Sequence, residues 1–346
     1  IMAATGDRVP CVFIENGAVA NHDKSAPIEV SYKQNFPGEP TGHSNPEMLY
    51  NLKPSPNHGH DQSIVNGISR IGFMKGGGEA LWKDENIADS ITSHALDFIK
   101  EHHQEPFFMY LCTNDIHVPR FPHPRFRGKT KMGHRGDAIV QFDWTVGQIL
   151  STLKKLGIDK NTIILLTSDN GPVVDDGYAD QSVEQLGEHR PWGDLRGGKY
   201  SNFEAGTRVP LIVSWPKRVK RGVSDALVSQ IDIFASMATL LDTPIAEGAA
   251  PDSRNALPAL LGTDKDGRAY IVEKAGSIAL YDGEWKYIAP SGGYAYNKLT
   301  NIELGNDRHP QLYRLTDDIG EQHNVADQNA RRGQLGLIQQ NLRQHA

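Results

Sequence analysis

Four short stretches combine residue types that can do chemistry. The first is Ser168-Asp169-Asn170-Gly171, which directly follows the apolar run at residues 162–167. Asp169 and Asn170 each offer an oxygen ligand, and Gly171 lets the chain turn sharply. A carboxylate beside a carboxamide suits a hard cation, calcium or magnesium, whereas His in place of Asn170 would have favoured zinc. The same residues also make a good turn. The second stretch is Asn114-Asp115-Ile116-His117-Val118-Pro119, after the apolar run Phe107-Phe108-Met109-Tyr110-Leu111. A His there can act as a general acid or bind an anion when protonated, although with 14 His in the chain an ordinary structural role competes. The third is Leu195-Arg196-Gly197-Gly198-Lys199. Its glycines let backbone approach a ligand and Lys199 places a point charge beside it, without the spacing of a P-loop. The fourth is the basic run at residues 120–135, with Arg120, Arg125, Arg127, Lys129, Lys131, Arg135, His123 and His134. In a chain of net charge −6 this local reversal of sign could draw in an anionic substrate, or simply be a solvated loop.

The elements that must position these residues follow from periodicity. Ile87, Ile91, Ala95, Phe98 and Ile99 predict a helix from about 85 to 101. Ile139, Phe142, Val146, Ile149, Leu150 and Leu153 predict a second, ended near Gly157. Ile231, Phe234, Ala235, Ala238 and Leu241 predict a third, stopped by Pro244. The continuous apolar runs at 107–111, 162–167 and 211–215 read as strands buried on both faces. Strands alternating with helices at this rhythm predict an α/β fold, a mainly parallel sheet with helices on both faces. In such sheets ligands sit beyond the carboxyl ends of strands, where Asp169 and His117 fall. Before residue 80 the chain is rich in loops, with one expected strand at 9–14. Beyond about 262, short strands at 270–272, 277–281, 285–288 and 311–315 and a helix from about 327 to 343 predict a small antiparallel sheet with a helix on it.

Composition sets the outer limits. With 346 residues the chain can bury a sizeable core, and 38% hydrophobic with 23% charged residues excludes a membrane bundle or a disordered tail. The acidic balance argues against a nucleic-acid binder, and no apolar run is long enough to cross a membrane. Two cysteines, Cys11 and Cys112, cannot form a disulfide framework or a zinc knuckle.

Taken in order, the motifs are far more specific than any one alone. Pro106-Phe107-Phe108-Met109-Tyr110, His117-Val118-Pro119, Thr167-Ser168-Asp169-Asn170-Gly171-Pro172, Leu195-Arg196-Gly197-Gly198-Lys199, Phe203-Glu204-Ala205-Gly206-Thr207-Arg208-Val209-Pro210 and Trp215-Pro216 together resemble the arylsulfatase family, within the alkaline-phosphatase-like superfamily. Trp285-Lys286-Tyr287-Ile288, Leu312-Tyr313, Asp317-Asp318 and Glu321-Gln322-His323-Asn324 resemble its C-terminal subdomain. The resemblance implies a catalytic domain at 1–262 and a C-terminal α+β subdomain at 263–346. It implies that Asp169 and Asn170 hold Ca2+ (or Mg2+), that Lys199 contacts the sulfate, and that His117 serves the leaving alcohol. The implied substrate is an aryl sulfate or a sulfated carbohydrate. The loops around Thr5-Gly6-Asp7-Arg8 and Gly59-His60-Asp61 suggest a bacterial sulfatase of 6-sulfated amino sugars, with Arg120, His60, Arg70 and His189 as candidate substrate contacts. A metal-dependent phosphatase or phosphonate hydrolase of the same superfamily is the alternative, and a non-catalytic binding fragment a third.

One departure from the family pattern matters. Its nucleophile motif is Cys or Ser-x-Pro-x-Arg, whose first residue becomes formylglycine. Cys11 is followed by Val-Phe-Ile, Cys112 by Thr-Asn-Asp, and Ser25-Ala26-Pro27-Ile28-Glu29 lacks the arginine. Asp175-Asp176 and Asp317-Asp318 follow no strand that would make them the family's paired metal aspartates, and the Lys-Trp-His segment is missing. The expectation is therefore a C-terminal portion of a sulfatase, inactive alone, with formylglycine outside the chain. The parent would be periplasmic or secreted, and an unpaired sheet edge would favour self-association.

Overall fold

The structure, a computed structural model, describes residues 2, 3, 5–328, 333, 335 and 336. The chain divides into two compact units. One holds residues 1–159 and 174–189, the other residues 160–173 and 190–346. This differs from the expected boundary at 262, and the reason lies in the second unit. There Ser201 and Asn202 bond the backbone of Glu303 and Leu304, and Lys286 reaches Glu204. The C-terminal sheet is thereby tied to the segment before it rather than forming a body of its own.

In the first unit two helices carry the regular structure. Ile87–His102 buries Ile87, Ile91, Ala95 and Ile99, a stripe at four-residue spacing as expected. Gly133–Lys155 starts earlier than its apolar pattern suggested and buries a polar face, Asp137, Gln141 and Thr145. The reason is local: Asp137 accepts from the backbone N–H groups of Gly128 and Thr130, which ties the preceding loop to the helix. The helix ends as expected. Gly157 takes φ +74°, its N–H reaches Lys154 O at 3.1 Å, and the N–H of Ile158 returns to Leu153 O at 3.1 Å. The loop-rich start is organised by small antiparallel pairs, Glu29–Ser31 with Phe73–Lys75 and Ile64–Val65 with Ile68–Ser69. It packs around Val9, Cys11, Val65, Met74, Trp82, Ile87 and Ile91.

In the second unit Ile164–Thr167 pairs antiparallel with Leu211–Ser214. Ile271–Lys274, Ile278–Tyr281, Trp285–Ile288 and Gln311–Arg314 form the expected antiparallel sheet, in that order. The helix Asp232–Leu240 stops before Pro244. The expected closing helix at 327–343 lies largely outside the described residues.

The parallel sheet expected from the apolar runs is not what the described residues form. All their strand pairs are antiparallel, and parallel contact is confined to three isolated bridges. Residues 107–111 join no ladder among the described residues, and Phe108 and Tyr110 are 71% and 83% exposed. Apolar continuity reports a tendency to be buried; it does not report the direction of a partner strand.

Candidate functional site

His117, Arg120, His60, Arg70 and His189 fall in the first unit; Asp169, Asn170 and Lys199 fall in the second.

His117 is half-buried on the turn after residues 107–111, its N–H bonded to Asn114 O at 3.0 Å and its Nδ1 2.7 Å from Val118 O. It lines a small cavity with Gly6, Asn114, Asp115, Phe121 and Gln141. Gln141 ties that wall together. Its Nε2 donates to Asp115 at 2.8 Å while its Oε1 accepts the N–H of His123 at 2.8 Å. Burial raises the Asp115 carboxyl above its ordinary value despite that bond.

The sequence pattern did not single out Asp7, although the loop that holds it was noted. Its carboxylate is buried, Oδ1 lacks a hydrogen-bond partner, and Oδ2 lies 3.7 Å from His60 Nε2. Burial pushes the Asp7 carboxyl up. The neighbouring His60 and Thr5 side chains and the charges of His117 and Arg8 outweigh it and hold the group below its ordinary value. His60 itself is enclosed, with Nδ1 3.0 Å from His58 O and its ring edge-on to Tyr178 at 5.1 Å. Asp7, His60 and His117 thus form one group of ionisable side chains.

Arg70 and Arg120 occupy other surroundings than the expected substrate contact. Arg70 is 0% exposed and grips Asp84 with two bonds of 2.7 and 2.8 Å, while donating to Gly6 O and Val65 O. Arg120 is 1% exposed and donates to Ile116 O, Val174 O, Asp180 and Ser182. Both guanidiniums knit loops together. Much of the basic run is likewise engaged: Arg125 pairs with Asp89 and stacks on Trp144 at 4.4 Å, and Arg127 lies 4.2 Å from the Phe121 ring. Lys129 and Lys131 are exposed, as is His189.

In the second unit the structure brings the Asp169 and Lys199 loops together. Gly171 N–H bonds Gly206 O at 2.9 Å, and Lys199 N–H bonds Pro172 O at 2.9 Å. Gly171 is required here, because a Cβ would sit 1.6 Å from Ala205 O. Tyr200, next to Lys199, holds φ +80°, a strained conformation for a bulky residue of the kind found at functional sites. Asp169 is exposed, with Oδ1 accepting the N–H of Asn170 at 2.9 Å; Asn170 donates Nδ2 to Gly171 O at 2.9 Å. The oxygen left on each side chain is a hard donor, so the pair fits a cation such as calcium. Among the described residues no three His, Cys, Asp or Glu side chains cluster as a complete metal site.

Neither cysteine of this chain fits formylglycine. Cys11 is fully buried, and burial pushes its thiol up to about 11. Cys112 is exposed but lacks the motif. One further stretch does carry the motif's letters, Ser214-Trp215-Pro216-Lys217-Arg218. Ser214 pairs with Ile164, the first residue of the strand whose other end leads to Asp169. Three residues of strand, about 10 Å, thus separate it from the end of that ladder that leads to Asp169. Arg218 stacks on Trp215 at 5.0 Å.

Comparison with known proteins places the chain in a family. The sulfatase family model matches residues 12–243. An N-acetylgalactosamine-6-O-sulfatase of Bacteroides thetaiotaomicron is 55% identical over 331 residues, 95% of this chain and 64% of that protein. A mouse N-acetylgalactosamine-6-sulfatase is 35% identical over 181 residues, 51% of this chain and 33% of that protein. The chain therefore spans less than two thirds of the length of either relative. A solved structure concerned with glycosaminoglycan metabolism by Bacteroides thetaiotaomicron superposes with TM-score 0.95 at 54% identity, covering 98% of this chain and 71% of that one. A Pseudoalteromonas sulfatase shares the fold, with TM-score 0.61 at 23% identity over 75% of this chain and 52% of that one. By its fold, its ordered motifs and these matches, the chain belongs to the sulfatase family.

Proposed function

We propose that the protein to which this chain belongs hydrolyses a sulfate ester on an amino sugar, the 6-O-sulfate of N-acetylgalactosamine being the first substrate to test. The observation that carries this reading is the 55% identity to a Bacteroides N-acetylgalactosamine-6-O-sulfatase, which extends over 95% of the chain. Within this reading Lys199 contributes a fixed positive charge to the sulfate oxygens, and its half-buried setting keeps that charge near the Asp169 loop. His117 gives a proton to the departing sugar hydroxyl, which would otherwise leave as an alkoxide. The charge of His117 is among the influences that hold the Asp7 carboxyl below its ordinary value. Asp169 and Asn170 hold calcium, which when bound would neutralise charge on the sulfate oxygens. Arg70 and Arg120 position the surrounding loops rather than bind sugar. The apolar runs at 107–111 and 162–167 belong, in this reading, to a mainly parallel sheet of the whole enzyme, an expectation supported by membership of the sulfatase family.

The test is a desulfation assay on the full-length enzyme with N-acetylgalactosamine 6-sulfate and 4-sulfate, read by released sulfate. Turnover of the 6-sulfate with little of the 4-sulfate is expected. Cleavage of a phosphate monoester in preference to either would replace the sulfatase reading with that of a phosphatase.

A further inference from the structure

Away from the candidate site, the second unit buries more acid than base at one point. Lys286 is 0% exposed and lies 2.7 Å from Glu204 Oε1 and 2.8 Å from Glu273 Oε2. A third carboxyl, Glu321, is also 0% exposed beside them. Its Oε2 accepts the backbone N–H of Glu204 at 2.7 Å, and its Oε1 lacks a hydrogen-bond partner. Other charged or titratable groups around it are Arg208, 3.2 Å from Glu204, Tyr313 and Asp318, with Arg196 donating to the Glu321 carbonyl at 2.5 Å. One lysine cannot neutralise three carboxylates in a dry site, so one of them keeps its proton. Glu321 makes the weakest claim on a cation, because neither Lys286 nor Arg208 is paired with it directly.

The location gives this proton a consequence. Arg196 holds both the Glu321 backbone and, through 2.6 and 3.0 Å bonds, Glu303. Ala205 N–H returns to Arg196 O at 2.9 Å. Residues 196–206, which carry Lys199, are thus fastened at one side to the Glu321 cluster and at the other to Gly171 and Pro172.

We propose that Glu321 is a positioning residue that holds a proton in the native state and, on losing it, loosens the loop carrying Lys199. The Glu204 N–H bond favours the ionised carboxylate, but ionisation leaves an uncompensated negative charge buried beside Glu204 and Glu273, whose cations Lys286 and Arg208 are already engaged. The sign follows from linkage. Burial, more than the repulsion of Glu204 and Glu273, pushes the Glu321 carboxyl up from 4.5 to about 8, against the pull of Lys286. Between those values only the folded chain keeps the proton, so stability falls as pH rises through this window and levels off above about 8. The proposal gains its catalytic meaning from Lys199 as a sulfate contact, but its test reads the loop itself and stands apart from that assignment.

The test compares this chain with Glu321→Gln by thermal melting and by hydrogen exchange between about pH 6 and 9, a range spanning the shifted carboxyl. In the wild type the melting temperature falls up to about pH 8 and then levels off, and the protection factor of the Glu204 amide drops by up to roughly tenfold per pH unit below that point. In the variant both stay flat. Parallel curves for the two proteins would overturn the proposal. Should the variant not fold, carbon-13 titration of glutamate carboxyls in the wild type decides. One carboxyl titrating well above the rest supports the proposal; all of them titrating in the ordinary range sinks it.

Discussion

Removing the Asp84 carboxylate should cost the first unit about 3 kcal/mol, because it strands a buried guanidinium. Arg70 is 0% and Asp84 3% exposed at the side chain, and they meet at 2.7 Å. Loss of one member of such a pair typically costs about 3–5 kcal/mol. The lower end applies here, since Arg70 keeps Gly6 O at 2.5 Å and Val65 O at 2.9 Å. Cys11 packs nearby but cannot supply the missing charge, its thiol being pushed up to about 11 by burial. Asn66 also loses one acceptor but keeps Glu85 at 2.8 Å. The assay is urea unfolding of Asp84→Ala followed by tryptophan fluorescence, with Trp82 as a buried reporter in the adjoining core. A second arm replaces both partners, Arg70→Met with Asp84→Leu, and should come within about 1 kcal/mol of the wild type. The reasoning is refuted if the single variant loses under about 1 kcal/mol, or if the double variant is as unstable as the single.

Other expectations concern the same loops. Gly177→Ala should lose about 3 kcal/mol, from left-handed strain and overpacking together; its φ is +114° and the new Cβ would lie 2.3 Å from the His60 ring. A chemical melt of that variant at the wild-type midpoint would expose any error. Asp7 is held below its ordinary value, so it stabilises the fold above about pH 4 and ceases to as pH falls through its folded value. Asp7→Asn should therefore flatten the acid limb of a stability–pH curve, and an unchanged limb would contradict this. Calcium should bind this chain weakly, at about millimolar Kd, since two oxygen ligands are far from a full shell; calorimetric titration showing micromolar binding would be inconsistent with it. The exposure of Phe108 and Tyr110, 71% and 83%, favours self-association, and a single monomeric species in sedimentation across a wide concentration range would count against it.

The sequence was most informative where local physics decides. The helix Ile87–His102 has its apolar stripe in four-residue steps, and Gly157 ends the next helix at the residue where a positive φ is needed. The C-terminal strands were legible because short alternating runs between polar turns admit few other forms. Ladder direction was not legible at 162–167, because the antiparallel partner, Leu211–Ser214, is far away in the chain. Nor could burial of Arg70 and Arg120 be read, since their counter-ions Asp84 and Asp180 sit 14 and 60 residues away. Asp7 was not legible for a related reason: nothing in Thr-Gly-Asp-Arg distinguishes an enclosed carboxylate from one on a turn. Ser214 carries the letters of the nucleophile motif, but its position on the strand ladder opposite Ile164 is not legible from those letters.

The interleaving of the two units has a consequence for synthesis on the ribosome. The first unit is closed by residues 174–189, after a detour of fourteen residues, 160–173, that belong to the second. Those fourteen include Ile164–Thr167, whose ladder partner Leu211–Ser214 emerges more than forty residues later. During that interval an apolar segment waits unpaired between two parts of a unit that is otherwise ready to fold. At translation speeds of about 5–20 residues per second the wait lasts a few seconds. Pauses or rare-codon runs between residues 173 and 211 would lengthen this exposure, and so would favour chaperone capture or aggregation without changing a single amino acid.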